Sequence, residues 1–103
     1  MCQVTLGPGA VSRPVRHRNV EEIWYFLEGE GLIWRCPPGV DPTSVEPVSV
    51  HSGDAIVIPP GWYFQFRSSP DSTLRFLCYT APPWPGLEEA LPAPYAGLGE
   101  PTV

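Results

Sequence analysis

The chain predicts an all-β fold, a small antiparallel barrel or a double-sheet jelly roll. Three observations carry that expectation. Short apolar runs alternate with polar residues at a period of two, the pattern of half-buried strands. Glycine and proline clusters separate the runs, and 15 prolines and 10 glycines in 103 residues supply many turns. The strongest run, Ile23 to Leu27 within EEIWYFLEGEG, is rich in aromatic residues and stops at glycines. Those features favour strand over helix despite its leucine and flanking glutamates.

Taken in order, Gln3 to Leu6 alternates and predicts a short edge strand, closed by a turn at Gly7-Pro8-Gly9. Val11 to His17 alternates loosely, and Pro14 restricts it to an edge or a bend. Val15 and His17 share one face there, Arg16 and Arg18 the other. His17 to Val20 turns the chain into the central strand. From Glu22 onward, Glu22, Trp24 and Phe26 lie on one face and Ile23, Tyr25 and Leu27 on the other. Both faces are apolar, which predicts cover on each side from a second sheet or a partner subunit.

Gly31 to Arg35 forms the return strand, and Cys36 to Pro42 a rigid loop. Val45 to Val50 alternates again, broken by Pro47. The turn His51-Ser52-Gly53-Asp54 leads into Ala55 to Ile58, with the Asp54 side chain holding the turn and His51 exposed. Pro59-Pro60-Gly61 ends that strand; Tyr63 to Arg67 and Leu74 to Tyr79 follow, separated by Ser68 to Ser72. The total is about seven or eight strands. After Thr80 the period is lost, and only Leu87 to Leu91 is long enough for a helical turn or so. Trp84, Leu87, Leu91 and Tyr95 are too apolar for water, so residues 81–103 are expected to pack on the barrel or on a partner subunit.

One domain spanning residues 1–103 suits the length, with a core over about 9–80. A domain this small is marginal alone, which favours a homodimer. The net charge of -5, from 11 acidic and 6 basic side chains, argues against nucleic acid and anionic membrane as partners. No apolar run is long enough to span a bilayer, and the first residues lack a basic start and an apolar core. Cytoplasmic residence is the default expectation. Cys2, Cys36 and Cys78 are odd in number and widely spaced, without a zinc-type pair.

Two spacings resemble the motifs of the cupin superfamily, in its small single-domain form. Gly9, five residues, Val15-Arg16-His17, four residues, Glu22, six residues and Gly29 follow the first motif. Gly53, five residues, Pro59-Pro60-Gly61, two residues and Phe64 follow the second. The resemblance implies the cupin double-stranded β-helix, a jelly-roll type barrel. In the family, two histidines, a glutamate and a third histidine commonly hold a divalent metal. Carried over, those positions are Val15, His17, Glu22 and Phe64, and the final asparagine position is Ser68. One imidazole and one carboxylate leave most of a coordination shell to water, so no cofactor is expected beyond weak or partial metal binding at His17 and Glu22.

The expected interior set is Val15, His17, Glu22, Trp24, Phe26, Ile56, Ile58, Phe64 and Phe66: an aromatic cup with one basic and one acidic group. Its walls suit an apolar or aromatic small molecule. His17 and Glu22 are the candidate catalytic pair, exchanging protons near neutral pH. A carboxylate neighbour raises the histidine pKa and an apolar wall lowers it. Three functions remain open: an isomerase, cyclase or dehydratase working by proton transfer in biosynthetic metabolism; a metal-dependent isomerase or dioxygenase drawing extra ligands from Gln65 or His51; and a non-enzymatic binding or sensor domain. A barrel filled by Trp24, Phe64 and Phe66 would argue against all three. Cys78 shares parity with Phe76 and is expected to serve as a small inward residue.

Overall fold

The structure is a computed structural model that describes residues 1–81, 89–92 and 97–103. Among these, nine strands form two antiparallel sheets: β1 Cys2–Leu6, β2 Val15–His17, β3 Glu21–Glu28, β4 Glu30–Cys36, β5 Val48–His51, β6 Ala55–Ile58, β7 Tyr63–Ser68, β8 Leu74–Ala81 and β9 Ala90–Pro92. One sheet has the order β1-β8-β3-β6 and the other β5-β4-β7-β2-β9. The strands cross repeatedly between sheets, which is the jelly-roll arrangement.

The central strand β3 shows why the sequence folds this way. Glu22, Trp24 and Phe26 are buried on its inner face, and Ile23, Tyr25 and Leu27 alternate outward. The second sheet covers only the inner face. In the single chain Ile23, Tyr25 and Leu27 remain 39%, 47% and 38% exposed, beside Val57 and Tyr79. Gly29, at φ 85°, makes the turn from β3 into β4. A Cβ there would stand 2.0 Å from the Thr73 carbonyl oxygen, so no other residue fits without moving the backbone.

The main core lies between the sheets, built from Phe26, Ile33, Ile56, Ile58, Leu74 and Phe76 among others. A second cluster of Val11, Trp34, Cys36 and Leu98 sits on the outer side of the five-stranded sheet. Gln65 ties it down: its Nε2 donates to the carbonyls of Ser12 and Gly99, and its Oε1 accepts from the Leu98 N–H at 2.6 Å. Thr102 closes the same surface, with its N–H on the Val11 carbonyl and its hydroxyl accepting from the Val11 N–H.

Two expectations need correction. The strand read from Val45 begins at Val48, because Pro42–Ser44 is a 3₁₀ turn capped by Asp41 and Pro47 has no N–H to give a ladder. Regular structure also continues beyond Thr80. β8 runs to Ala81, and Ala90–Pro92 is a strand on β2, not the end of a helix. The open edge of β2 supplies backbone partners that a local period cannot reveal. Leu87 and Glu88 of that expected helix, and Trp84 and Tyr95, lie outside the described residues.

Candidate functional site

A cup of about 520 Å³ opens at one end of the barrel between the two sheets. The alternation of β3 aims Glu22 and Trp24 into it, β7 contributes Phe64 and Phe66, and β2 contributes His17. Among the described residues, Trp24, Phe64, Phe66 and Phe76 line its wall. Trp24 stacks on Phe76 with centroids 4.7 Å apart and meets the edges of Phe64 and Phe66 at 5.3 and 5.1 Å. Phe66 meets Phe76 edge-on at 5.2 Å. These offset and T-shaped contacts are the favoured aromatic geometries and hold the wall rigid. The rings pack on one another and still leave the cup open above them.

Glu22 is fixed by its neighbours. The Trp24 indole N–H donates to its Oε1 at 2.9 Å and the Cys78 thiol donates to its Oε2 at 3.2 Å. The same Oε2 faces His17 Nδ1 at 3.7 Å, both side chains being buried. The His17 ring also rests on Phe64, edge to face at 5.0 Å. Burial pushes the His17 pKa below its ordinary value, and the Glu22 and Glu89 carboxylates pull the other way without reversing it. The imidazole is therefore neutral at physiological pH and able to accept a proton within reach of a buried carboxylate. Burial, followed by Glu22, pushes the Cys78 thiol well up, so it stays protonated and acts as a donor.

Glu89 is a site residue that the periodicity left unseen. Its carboxylate is buried and caps the turn after His17, taking the Val20 N–H at 2.8 Å together with the Asn19 N–H and side-chain amide. Burial raises its pKa, but those donors and His17 outweigh it and the net shift is downward. It thus stands as a second carboxylate behind the imidazole. The signal was absent because Glu89 reaches the site through the pairing of β9 with β2.

Of the sequence-derived interior set, His17, Glu22, Trp24, Phe64 and Phe66 converge on the cup. Phe26, Ile56 and Ile58 are buried in the core beneath it, and Val15 packs against that core opposite Phe64. Residues from β1 and β8 complete the mouth: Cys2, Val4, Phe76, Cys78 and Thr80, beside Met1. The parity of Cys78 with Phe76 was legible; the pairing that brings β1 beside β8 was not.

The divalent metal common in this fold finds a poor donor set at these positions. Val15 and Phe64 offer only apolar groups, and Glu22 already accepts from Trp24 and Cys78. Gln65 and His51 do not supply the missing ligands: Gln65 is bonded on the outer side of its sheet and His51 is exposed. Among the described residues no group of three or more His, Cys, Asp or Glu is placed to hold a metal ion.

The two antiparallel sheets and the cup between them define a jelly-roll barrel of the cupin type. The Cupin_2 family, described as a cupin domain, matches residues 2–80, and the chain belongs to that family. An uncharacterised protein of Methanocaldococcus jannaschii is 33% identical over 69 residues, which are 67% of this chain and 49% of that protein. The chain thus spans about half the length of the curated relative it matches. A cupin protein of Bacteroides fragilis is 28% identical with a TM-score of 0.61, over 82% of this chain and 68% of that one. A predicted oxalate decarboxylase of Thermotoga maritima is 24% identical with a TM-score of 0.63, over 76% and 61% of the two chains. The cupin domain of Drosophila melanogaster CENP-C has a TM-score of 0.70 at 14% identity, over 77% and 58%. The last two likenesses are likenesses of fold. Among the described residues no helix is long and apolar enough to cross a membrane.

Proposed function

We propose that the cup binds an apolar or aromatic small molecule and that His17 and Glu22 move a proton on it, as an isomerase, cyclase or dehydratase does in biosynthetic metabolism. The observation that carries this reading is the placement of one imidazole and one carboxylate, 3.7 Å apart, on the wall of an otherwise aromatic cup of about 520 Å³. A volume of that size suits a ligand of one or two fused rings. Neutral His17 is the proton acceptor, and Glu22, with an oxygen facing Nδ1, stabilises the imidazolium that forms. The aromatic wall keeps water from the intermediate. No step is assigned to a metal, because the donors at the motif positions do not fit one.

We propose separately that the protein is a cytoplasmic homodimer. The outer face of β6, β3 and β8 aligns Val57, Ile23 and Tyr79 in one row across the sheet, next to Tyr25 and Leu27. A second copy of that face would cover them.

Deuterium exchange tests the chemistry without a known substrate. A panel of aryl ketones bearing α-hydrogens is incubated with protein in heavy water, and label gained above a protein-free blank is read by mass spectrometry. Incorporation with the wild type, lost by at least about 100-fold in His17→Gln, is the expected result. Equal exchange by wild type and His17→Gln overturns the assignment. In the same panel, Val4→Trp, which fills the mouth of the cup, abolishes saturable binding; binding that survives it places the ligand elsewhere.

A further inference from the structure

Cys2 and Cys78 are direct cross-strand partners in the β1–β8 ladder, and both line the mouth of the cup. Directly opposed residues of an antiparallel pair point to the same face, with Cα atoms about 4.5–5.5 Å apart. That separation lies within the range a disulfide spans, about 4.4–6.8 Å. The neighbouring partners, Val4 with Phe76 and Leu6 with Leu74, continue the same inward face, so the register is fixed by the core. Cys2 is exposed, whereas Cys78 is buried with its thiol on Glu22 Oε2. Cys36 belongs to the separate cluster beneath Leu98, where its thiol donates to the Pro37 and Val40 carbonyls.

We propose that Cys2 and Cys78 form a reversible cross-strand disulfide at the mouth of the cup, and that closing it takes the Cys78 donor away from Glu22. This holds independently of what the cup binds. The oxidant is a peroxide. The Cys2 thiolate attacks one peroxide oxygen, the O–O bond breaks, and Cys2 becomes a sulfenic acid as hydroxide leaves and is protonated to water. The Cys78 sulfur then attacks the Cys2 sulfur, the S–O bond breaks, and a second water departs. Glu22 Oε2, which already accepts from the Cys78 thiol at 3.2 Å, receives its proton and passes it to the leaving oxygen. Two thiols and one hydrogen peroxide thus give one disulfide and two waters, and a small dithiol reverses the oxidation.

The assignment of roles follows from access. Burial, then the Glu22 carboxylate, then the adjacent Cys2 thiol hold Cys78 protonated, so the first attack falls to exposed Cys2. Once the disulfide forms, Glu22 Oε2 loses the Cys78 donor and still faces His17, 3.7 Å away. Oxidation therefore shifts the balance at the imidazole toward the protonated form.

The test treats reduced protein with hydrogen peroxide and follows thiol count, intact mass and nonreduced peptide maps. The expected result is a single-chain mass lighter by two hydrogens, a linked Cys2–Cys78 peptide, and a thiol count that falls from the three of the sequence to the single Cys36. Dithiothreitol restores all three. Cys36→Ser gives the same link, and Glu22→Gln slows closure by about 100-fold, seen as Cys2 that dimedone still traps. The His17 ring resonance titrates at higher pH in the oxidised protein. Over-oxidation of Cys2 with Cys78 still free, or a link between two chains, overturns the site. An unchanged closure rate in Glu22→Gln removes Glu22 from the step, and a disulfide that leaves the His17 titration unmoved overturns the coupling to the cup.

Discussion

Glu89 offers the sharpest single perturbation, because one carboxylate serves three donors and one imidazole. In Glu89→Ala the Val20 N–H loses its acceptor in a fully buried position, which costs about 1–3 kcal/mol. The Asn19 N–H is partly buried and adds about 0.5–1.5 kcal/mol. The Asn19 side chain is exposed and rehydrates, adding nothing. The sum is about 1.5–4.5 kcal/mol, against a total stability of roughly 5–15 kcal/mol for a domain of ordinary size. At about 4–8 °C per kcal/mol, the melting temperature falls by roughly 6–36 °C. Urea unfolding followed by far-UV circular dichroism measures the free-energy loss, and a thermal melt measures the fall in midpoint. Glu89→Gln keeps one acceptor oxygen and loses only about 1 kcal/mol. In both variants the His17 pKa falls further, since one of the two carboxylates that raise it is gone. A loss below about 0.5 kcal/mol in Glu89→Ala would refute the reasoning, because buried donors would then have found other acceptors.

The two histidines should titrate on opposite sides of 6.5 in ring-resonance NMR: His17 below, from burial, and His51 above, from its hydrogen bond to the Ser52 carbonyl and the charge of Asp54. For His17 the unfolded chain binds the proton more tightly. Its neutral ring therefore stabilises the fold fully above 6.5, and that contribution is lost as pH falls toward the folded pKa; His51 contributes in the opposite sense, below 6.5 and fading as pH rises. A His17 titration above 6.5 would mean that the carboxylates win over burial. Gly29→Ala should destabilise by more than about 3 kcal/mol in urea unfolding, since its Cβ meets the Thr73 carbonyl and the backbone is left-handed. Tyr79→Glu should convert a dimer to a monomer in light scattering at micromolar concentration, with the circular dichroism spectrum unchanged; a wild type that is already monomeric refutes the dimer.

The sequence alone determined the all-β class, the inward parity of Glu22, Trp24 and Phe26, and the turn at Gly29. It also determined the departures at Val15 and Phe64 from the cupin ligand pattern. These are local properties. Side-chain alternation has a period of two, and the glycine conformation is imposed within a few bonds, so both are written along the chain. Tertiary structure decided which inward residues reach the cup and which lie beneath it: Trp24 lines the opening while Phe26, two residues on, is core. It decided that Cys2 stands opposite Cys78, 76 positions away, as set by the β1–β8 register. It decided as well that Glu89, just ahead of β9, caps the turn after His17 from a stretch whose own sequence has no period. Those placements depend on which strand edges pair and on how far each strand slides past its neighbour. The contacts that select one register come from the whole core at once, and no short stretch of sequence contains them.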